Sequence, residues 1–215
     1  MKKNDVVIVD YGIGNILSVK RGLEHSGAVV TVSSDAKIIM TASRVVLPGV
    51  GAFADGMKGL KIENLDQVVY DFALLGRPLL GICLGMQMLL NESEEFGLNN
   101  GLGLIPGKVI PIPSYDIENN SHKIPHIGWN SLMISRENQK WNSDLMINTI
   151  PGESVYFVHS FMAQVIEEQH EIANCNYGGI SIPAVIGRDN ILGCQFHPEK
   201  SGEVGLKILK SFINL

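Results

Sequence analysis

Residues 77–90 read RPLLGICLGMQMLL. Leu79–Ile82 has the short, unbroken apolar run of a strand buried on both faces, and Leu84–Leu90 reads as the start of a helix. Between them lies Gly81-x-Cys83-x-Gly85. A strand that turns sharply into a helix is the unit of a parallel sheet covered by helices. The same stretch puts a thiol between two glycines, which permit a turn that larger side chains would obstruct. Cys83 is therefore either a small buried hydrophobe or a nucleophile presented at the turn, in the spacing of a nucleophile elbow with sulfur in place of oxygen. At a helix N-terminus the partial positive charge favours thiolate.

The pattern repeats along the chain. Apolar runs recur at 6–10 (VVIVD), 28–33 (AVVTVS) and 44–49 (RVVLPG), with helical patterns at 15–27 and 65–76 between them. Gly27 is placed to cap the first of these helices. The alternation predicts a three-layer α/β fold, an open, mainly parallel sheet with helices on both faces. The second half changes character. Residues 101–135 are rich in Pro and Gly and predict short strands and loops, some antiparallel. YFVHSFMAQV (156–165), HEIANCNY (170–177), ISIPAVIGR (180–188) and ILGCQF (191–196) read as strands, and GLKILKSFINL (205–215) as a closing helix. With no linker or internal repeat, 1–215 reads as a single domain.

Composition narrows the function. The 215 residues are 45% hydrophobic and 18% charged with a net charge of −5, which argues against a nucleic-acid surface. No segment approaches the roughly 20 apolar residues of a membrane span. The three cysteines are far apart and fit neither a disulfide framework nor a zinc pattern, so a reduced, cytoplasmic protein without a metal is expected. Gly12-x-Gly14 in DYGIGNI (10–16) opens like a dinucleotide loop, but position 17 is Leu, and no Walker loop occurs, so no cofactor is expected.

Two further motifs are compatible with a thiol nucleophile. In FHPE (196–199) the proline holds His197 extended, and residues two apart on an extended segment point the same way, so Glu199 can orient His197. Alone, this H-x-E is equally a surface loop after a strand. In LPGVGAF (47–53) the glycines let backbone N–H groups turn toward a ligand; alone it is a plain strand-to-helix turn. Nucleophile, base pair and anion-stabilising loop together point to acyl transfer. Among the rest, His25, His122 and His170 read as surface residues and His159 as a satisfied core histidine. Cys175 and Cys194 lack the elbow glycines, though Cys194 lies three residues from His197 and is a rival nucleophile. Trp129 and Trp141 read as core or interface.

PGVG, GICLGMQ and FHPEK together resemble the class I glutamine amidotransferases of the Cys-His-Glu type. PHIGWN (125–130), YFVHS (156–160) and YGIGN (11–15) narrow the resemblance to glutaminase subunits that dock on a HisF-type (β/α)8 cyclase. The resemblance implies a flavodoxin-like fold and catalysis by Cys83, His197 and Glu199. It also implies an oxyanion hole from backbone of Gly49, Val50, Gly51 and Leu84, with a peptide flip near Val50. Glutamine would be bound by Gln87 and backbone around Ser160 and Phe161, the last often Tyr in relatives. Asn15, Trp129, Tyr156 and Lys200 would lie at the partner interface. The implied product is ammonia, which the cyclase uses to convert PRFAR to imidazole glycerol phosphate and AICAR, with the glutaminase idle until the partner binds its ligand. Two alternatives stay open: ammonia supply for amidating a surface-polysaccharide sugar with a HisF-like partner, and a stand-alone cysteine hydrolase.

Overall fold

The computed structural model describes residues 5–121, 123–134 and 141–215. The first half alternates as its apolar runs predict. Strands β1 (Asp5–Val9), β2 (Val29–Ser33), β3 (Arg44–Gly49) and β4 (Leu79–Cys83) are separated by helices α1 (Ile16–His25), α2 (Ala36–Thr41), α3 (Phe53–Ile62) and α4 (Leu65–Leu74). Helix α5 (Leu84–Met88) follows β4 directly. It is shorter than the 84–90 reading, because Leu89 and Leu90 donate back three residues to Met86 and Gln87 and close the helix in a tighter turn. Helix α1 ends at Gly27, whose φ of +100° lets Gly27 and Ala28 donate back to Glu24 and Leu23.

Among the described residues, ten strands and a helix follow: β5 (Glu92–Ser93), β6 (Asn99–Asn100), β7 (Gly107–Pro111), β8 (His126–Ser131), β9 (Met133–Ile134), β10 (Ser154–His159), β11 (Phe161–Val165), β12 (Glu171–Tyr177), β13 (Ile180–Arg188), β14 (Ile191–Cys194) and α6 (Gly202–Asn214). The segment 156–165, which reads as one strand, is two. It breaks at Ser160, and its halves join different sheets. The main sheet has the order β2-β1-β3-β4-β14-β13-β12-β9. From β2 to β14 the neighbours are parallel; β13, β12 and β9 extend the sheet antiparallel. A four-stranded sheet, β11-β7-β5-β6, and the β8–β10 ribbon complete the second half.

Period-two alternation builds the layers. On β1, Val6 and Ile8 face a core shared with α1 and α6, while Val7 and Val9 face one shared with α2, α3, α4 and α5. Both faces are covered, which is why these strands carry apolar runs instead of alternating polar residues. The sheet order reverses after β2, and in such sheets the crevice outside the carboxyl ends of the strands is where ligands bind. Tyr11, the Gly49–Gly51 loop, Cys83 and His197 all lie at or just beyond the carboxyl ends of β1, β3, β4 and β14.

Candidate active site

The elbow forms, and its glycines do a different job from the one their flexibility suggests. The unusual conformation belongs to Cys83 itself, at φ 55° and ψ −112°, a backbone region that costs a side-chain-bearing residue roughly 1–3 kcal/mol. Gly81 and Gly85 supply room. A Cβ on Gly81 would stand 2.6 Å from the Gly85 carbonyl oxygen, and one on Gly85 would fall inside the Leu47 carbonyl of β3. The first turn of α5 can therefore pack onto the sheet only if both positions are glycine, and that packing holds Cys83 in its strained conformation. The thiol points toward the cleft, 4.0 Å from the Val158 carbonyl and 3.9 Å from Gln195 Nε2.

His197 and Glu199 pair, but not through an extended strand. His197 is extended; Pro198–Lys200 then forms a 3-10 turn that swings the carboxylate back under the ring. His197 Nδ1 donates to Glu199 Oε1 at 2.9 Å, and the Glu199 side chain is fully buried. Ser201 fixes the turn. Its Oγ donates to the His197 carbonyl at 2.6 Å and accepts from Tyr156 N at 3.0 Å, while His197 N donates to the Tyr156 carbonyl. Burial opposes charge on His197. Hydrogen bonds to Cys83 and Glu199 and the charges of both outweigh it, raising the imidazole from 6.5 to about 9. The ring thus carries a proton at neutral pH, opposite the thiol.

The cleft holds about 410 Å³ and is lined by Cys83, His197, Leu84, Gln87, Val50, Gly51, Ser160, Phe161 and Lys200, all singled out from the sequence. Gly49 lies behind its wall, where a Cβ would meet Gly85 N, Leu84 and the Tyr11 hydroxyl at 2.9 Å. Asn15, Trp129 and Tyr156 lie outside the cleft lining. Trp129 is 59% exposed, so it is not core, and it meets Tyr156 edge-to-face with ring centroids 6.1 Å apart. Trp141 packs against the core and donates to the Thr149 carbonyl.

The rival thiol falls away. Cys194 is wholly buried on β14, and burial together with Glu199 pushes it well above the usual thiol range; burial raises Cys175 to about 12. His25 is exposed, but His170, read as a surface residue, is buried where a short turn docks under the start of β12. His122 lies outside the described residues. His159 is buried as a core histidine, yet it also lines the cleft. Among the described residues, no group of three or more His, Cys, Asp or Glu is arranged to hold a metal.

Four residues of the site went unread in the sequence. Gln195 is fully buried. Its Oε1 accepts from Gln87 Nε2 at 3.0 Å while its Nε2 faces Cys83. A polar residue ending the apolar run ILGC was the available signal. Gln87 Nε2 also donates to the Phe161 carbonyl at 3.1 Å, so both its N–H groups are engaged and its amide oxygen is left for a ligand. Glu95 lines the cleft and caps α3, accepting from Phe53 N at 2.6 Å; in NESEEF nothing distinguishes it from Glu94. Tyr11 donates to the Pro48 carbonyl at 2.6 Å and braces the Pro48–Gly51 loop from below. Finally, His126 lies beside His159.

Comparison with known proteins gives the family. The family profile "Glutamine amidotransferase class-I" matches residues 7–215. Imidazole glycerol phosphate synthase subunit HisH 1 of Legionella pneumophila (strain Lens) is 50% identical over 212 residues, covering 99% of this chain and all of the relative. The HisH subunits of Methanosarcina barkeri (45% identical, 98% of each chain) and Bacillus subtilis (44%, 97% of this chain and 95% of the relative) are similar over the same span. Among solved structures, PurLQS from Thermotoga maritima superposes with a TM-score of 0.73 at 19% identity over 99% of both chains. A second, described as a glutamine amidotransferase, gives 0.72 at 16% over 97% of this chain and 99% of its own. The fold is theirs, the sequence sides with the HisH subunits, and the chain belongs to the class-I glutamine amidotransferases.

Proposed function

We propose that the chain is a glutaminase subunit that hydrolyses glutamine through a Cys83 thioester and delivers the ammonia to a HisF-type (β/α)8 cyclase. The carrying observation is the strained elbow thiol set against a protonated His197 held by Glu199. With its proton passed to His197, the Cys83 thiolate attacks the side-chain amide carbon; the C–S bond forms and the C=O electron pair moves to oxygen. Backbone N–H groups of Val50, Gly51 and Leu84 stabilise that oxyanion, with Gly49 supporting the loop. His197 gives its proton to the leaving nitrogen, the C–N bond breaks and ammonia departs. The imidazole, now neutral, takes a proton from water, whose oxygen opens the thioester to glutamate; the Cys83 sulfur leaves as thiolate beside the reprotonated His197. The Gln87 amide oxygen accepts from the substrate, Glu95 faces the cleft as a counter-charge for its ammonium group, and backbone at Ser160 and Phe161 forms the remaining wall.

Free ammonia is lost to protonation and diffusion in water, so the cleft requires a covered exit. Exposed Trp129 and Lys200 and half-buried Tyr156, with Asn15 at the head of α1, supply the docking rim. The cyclase would use the ammonia to turn PRFAR into imidazole glycerol phosphate and AICAR, in histidine synthesis in the cytoplasm, with 1–215 acting as one amidotransferase domain and no cofactor. The test is ammonia release from glutamine by the purified chain, alone and with a HisF-type protein of the same genome, with and without PRFAR. Strong activation by that partner and PRFAR is expected. Full activity of the isolated chain would instead mark a stand-alone hydrolase, and activation by a HisF-like partner indifferent to PRFAR would mark sugar amidation.

A further inference from the structure

A chain of hydrogen bonds, buried at the nucleophile and at the histidine pair, runs from Cys83 to the β8–β10 ribbon, and chemistry fixes its direction. His159 Nδ1 lies 2.8 Å from the Phe161 carbonyl oxygen, which can only accept, so Nδ1 carries the hydrogen. Burial, His126 and His197 lower His159 from 6.5 to about 4, despite that bond; it is neutral, and its Nε2 is an acceptor. His126 Nδ1, 3.0 Å from that Nε2, must therefore donate, which leaves His126 Nε2 to accept from Asn130 Nδ2 at 3.4 Å. Asn130 Nδ2 also donates to the Asn176 carbonyl at 2.8 Å. His126 is stacked between Phe157 (centroids 4.9 Å apart) and Tyr177 (4.0 Å), so its ring is held from both sides.

The chain ends on the substrate side. The Phe161 carbonyl takes two donors, His159 Nδ1 and Gln87 Nε2. Gln87 turns its amide oxygen to the ligand only while its own N–H groups stay committed to Phe161 and Gln195. We infer that His126 and His159 are a positioning pair: their single tautomeric arrangement fixes the Phe161 carbonyl and, through it, the face that Gln87 presents to glutamine. Neither transfers a proton in the reaction. The assignment rests on the proposed glutaminase activity, and it makes the strand that carries Trp129 a second support of the glutamine cleft.

The test compares His126→Phe with His126→Asn in the complex with the cyclase. Phe keeps the stacking between Phe157 and Tyr177 and removes the donor; Asn keeps a donor near the Nδ1 position. Loss of one buried hydrogen bond in the chain is expected to raise KM for glutamine about tenfold in His126→Phe with kcat changed much less. His126→Asn is expected to stay near the wild-type KM. Iodoacetamide capture of Cys83, which needs no glutamine seat, should proceed at the wild-type rate in both. A KM unchanged in His126→Phe, or raised equally in both variants, overturns the assignment, even if thermal stability falls. A wild-type complex that does not turn over glutamine refutes the proposed function and this pair with it; turnover with an unaltered His126→Phe KM refutes the pair alone.

Discussion

Replacing Glu199 with Gln removes one charge and almost no volume. In the wild-type protein, Cys83 and Glu199 together overcome burial and lift His197 from 6.5 to about 9. At about 1.4 kcal/mol per unit, that is roughly 3 kcal/mol of preference for the protonated ring. An adjacent opposite charge typically accounts for about 1–3 units of such a shift. Glu199→Gln should therefore bring the alkaline limb of kcat/KM for glutamine down by about one unit or more, and reduce kcat/KM near neutral pH about tenfold or more. Stability should move differently. A folded-state pKa above the unfolded one stabilises the fold fully below about 6.5, and that contribution is lost as pH rises through about 9. The variant should lose much of this dependence. Because the Glu199 carboxylate is wholly buried and its Oε2 has no hydrogen-bond partner among the described residues, a neutral amide removes a desolvation cost. At pH 9 the thermal midpoint of Glu199→Gln should be no lower than that of the wild type. The assays are a steady-state pH profile with the cyclase bound and thermal denaturation at pH 6 and 9. An alkaline limb at the wild-type position would refute the reasoning.

Other expectations follow from single contacts. Tyr11→Phe deletes the 2.6 Å bond to the Pro48 carbonyl; it should cost about 1–2 kcal/mol in denaturant unfolding and lower kcat more than it raises KM, because the loop it braces acts on the transition state. Glu95→Gln keeps an acceptor for Phe53 N but removes the cleft's counter-charge, so KM for glutamine should rise about tenfold or more, with thiol alkylation unchanged. Gly85→Ala drives a methyl group into the Leu47 carbonyl; unfolding measurements should show a loss of about 3 kcal/mol or more, or no soluble protein.

Much of this design was legible in the sequence because it depends on local chain geometry. Buried parallel strands need continuous apolar runs, and the runs at 6–10, 44–49 and 79–82 mark β1, β3 and β4. The elbow was legible because only glycine fits at 81 and 85. Tertiary packing decides the rest. The strand break at Ser160 depends on which sheet each half joins, and nothing in YFVHSFMAQV marks it. His197 and Glu199 do meet, but by a 3-10 turn that Ser201 and Tyr156 hold in place, a contact across 45 residues. His170 reads as polar surface and is buried because the turn before β12 docks there. Gln195, Glu95 and Tyr11 were invisible as site residues for the same reason: each acts on a partner brought near only by the folded sheet.

The most direct test is to quench a reaction of the cyclase-bound protein with glutamine in acid and map the covalent adduct by mass spectrometry. A glutamyl group on Cys83, absent from Cys175 and Cys194, is the expected result. An adduct on Cys194, or glutamine turnover that persists in Cys83→Ala, would contradict the assignment of the elbow thiol as the nucleophile.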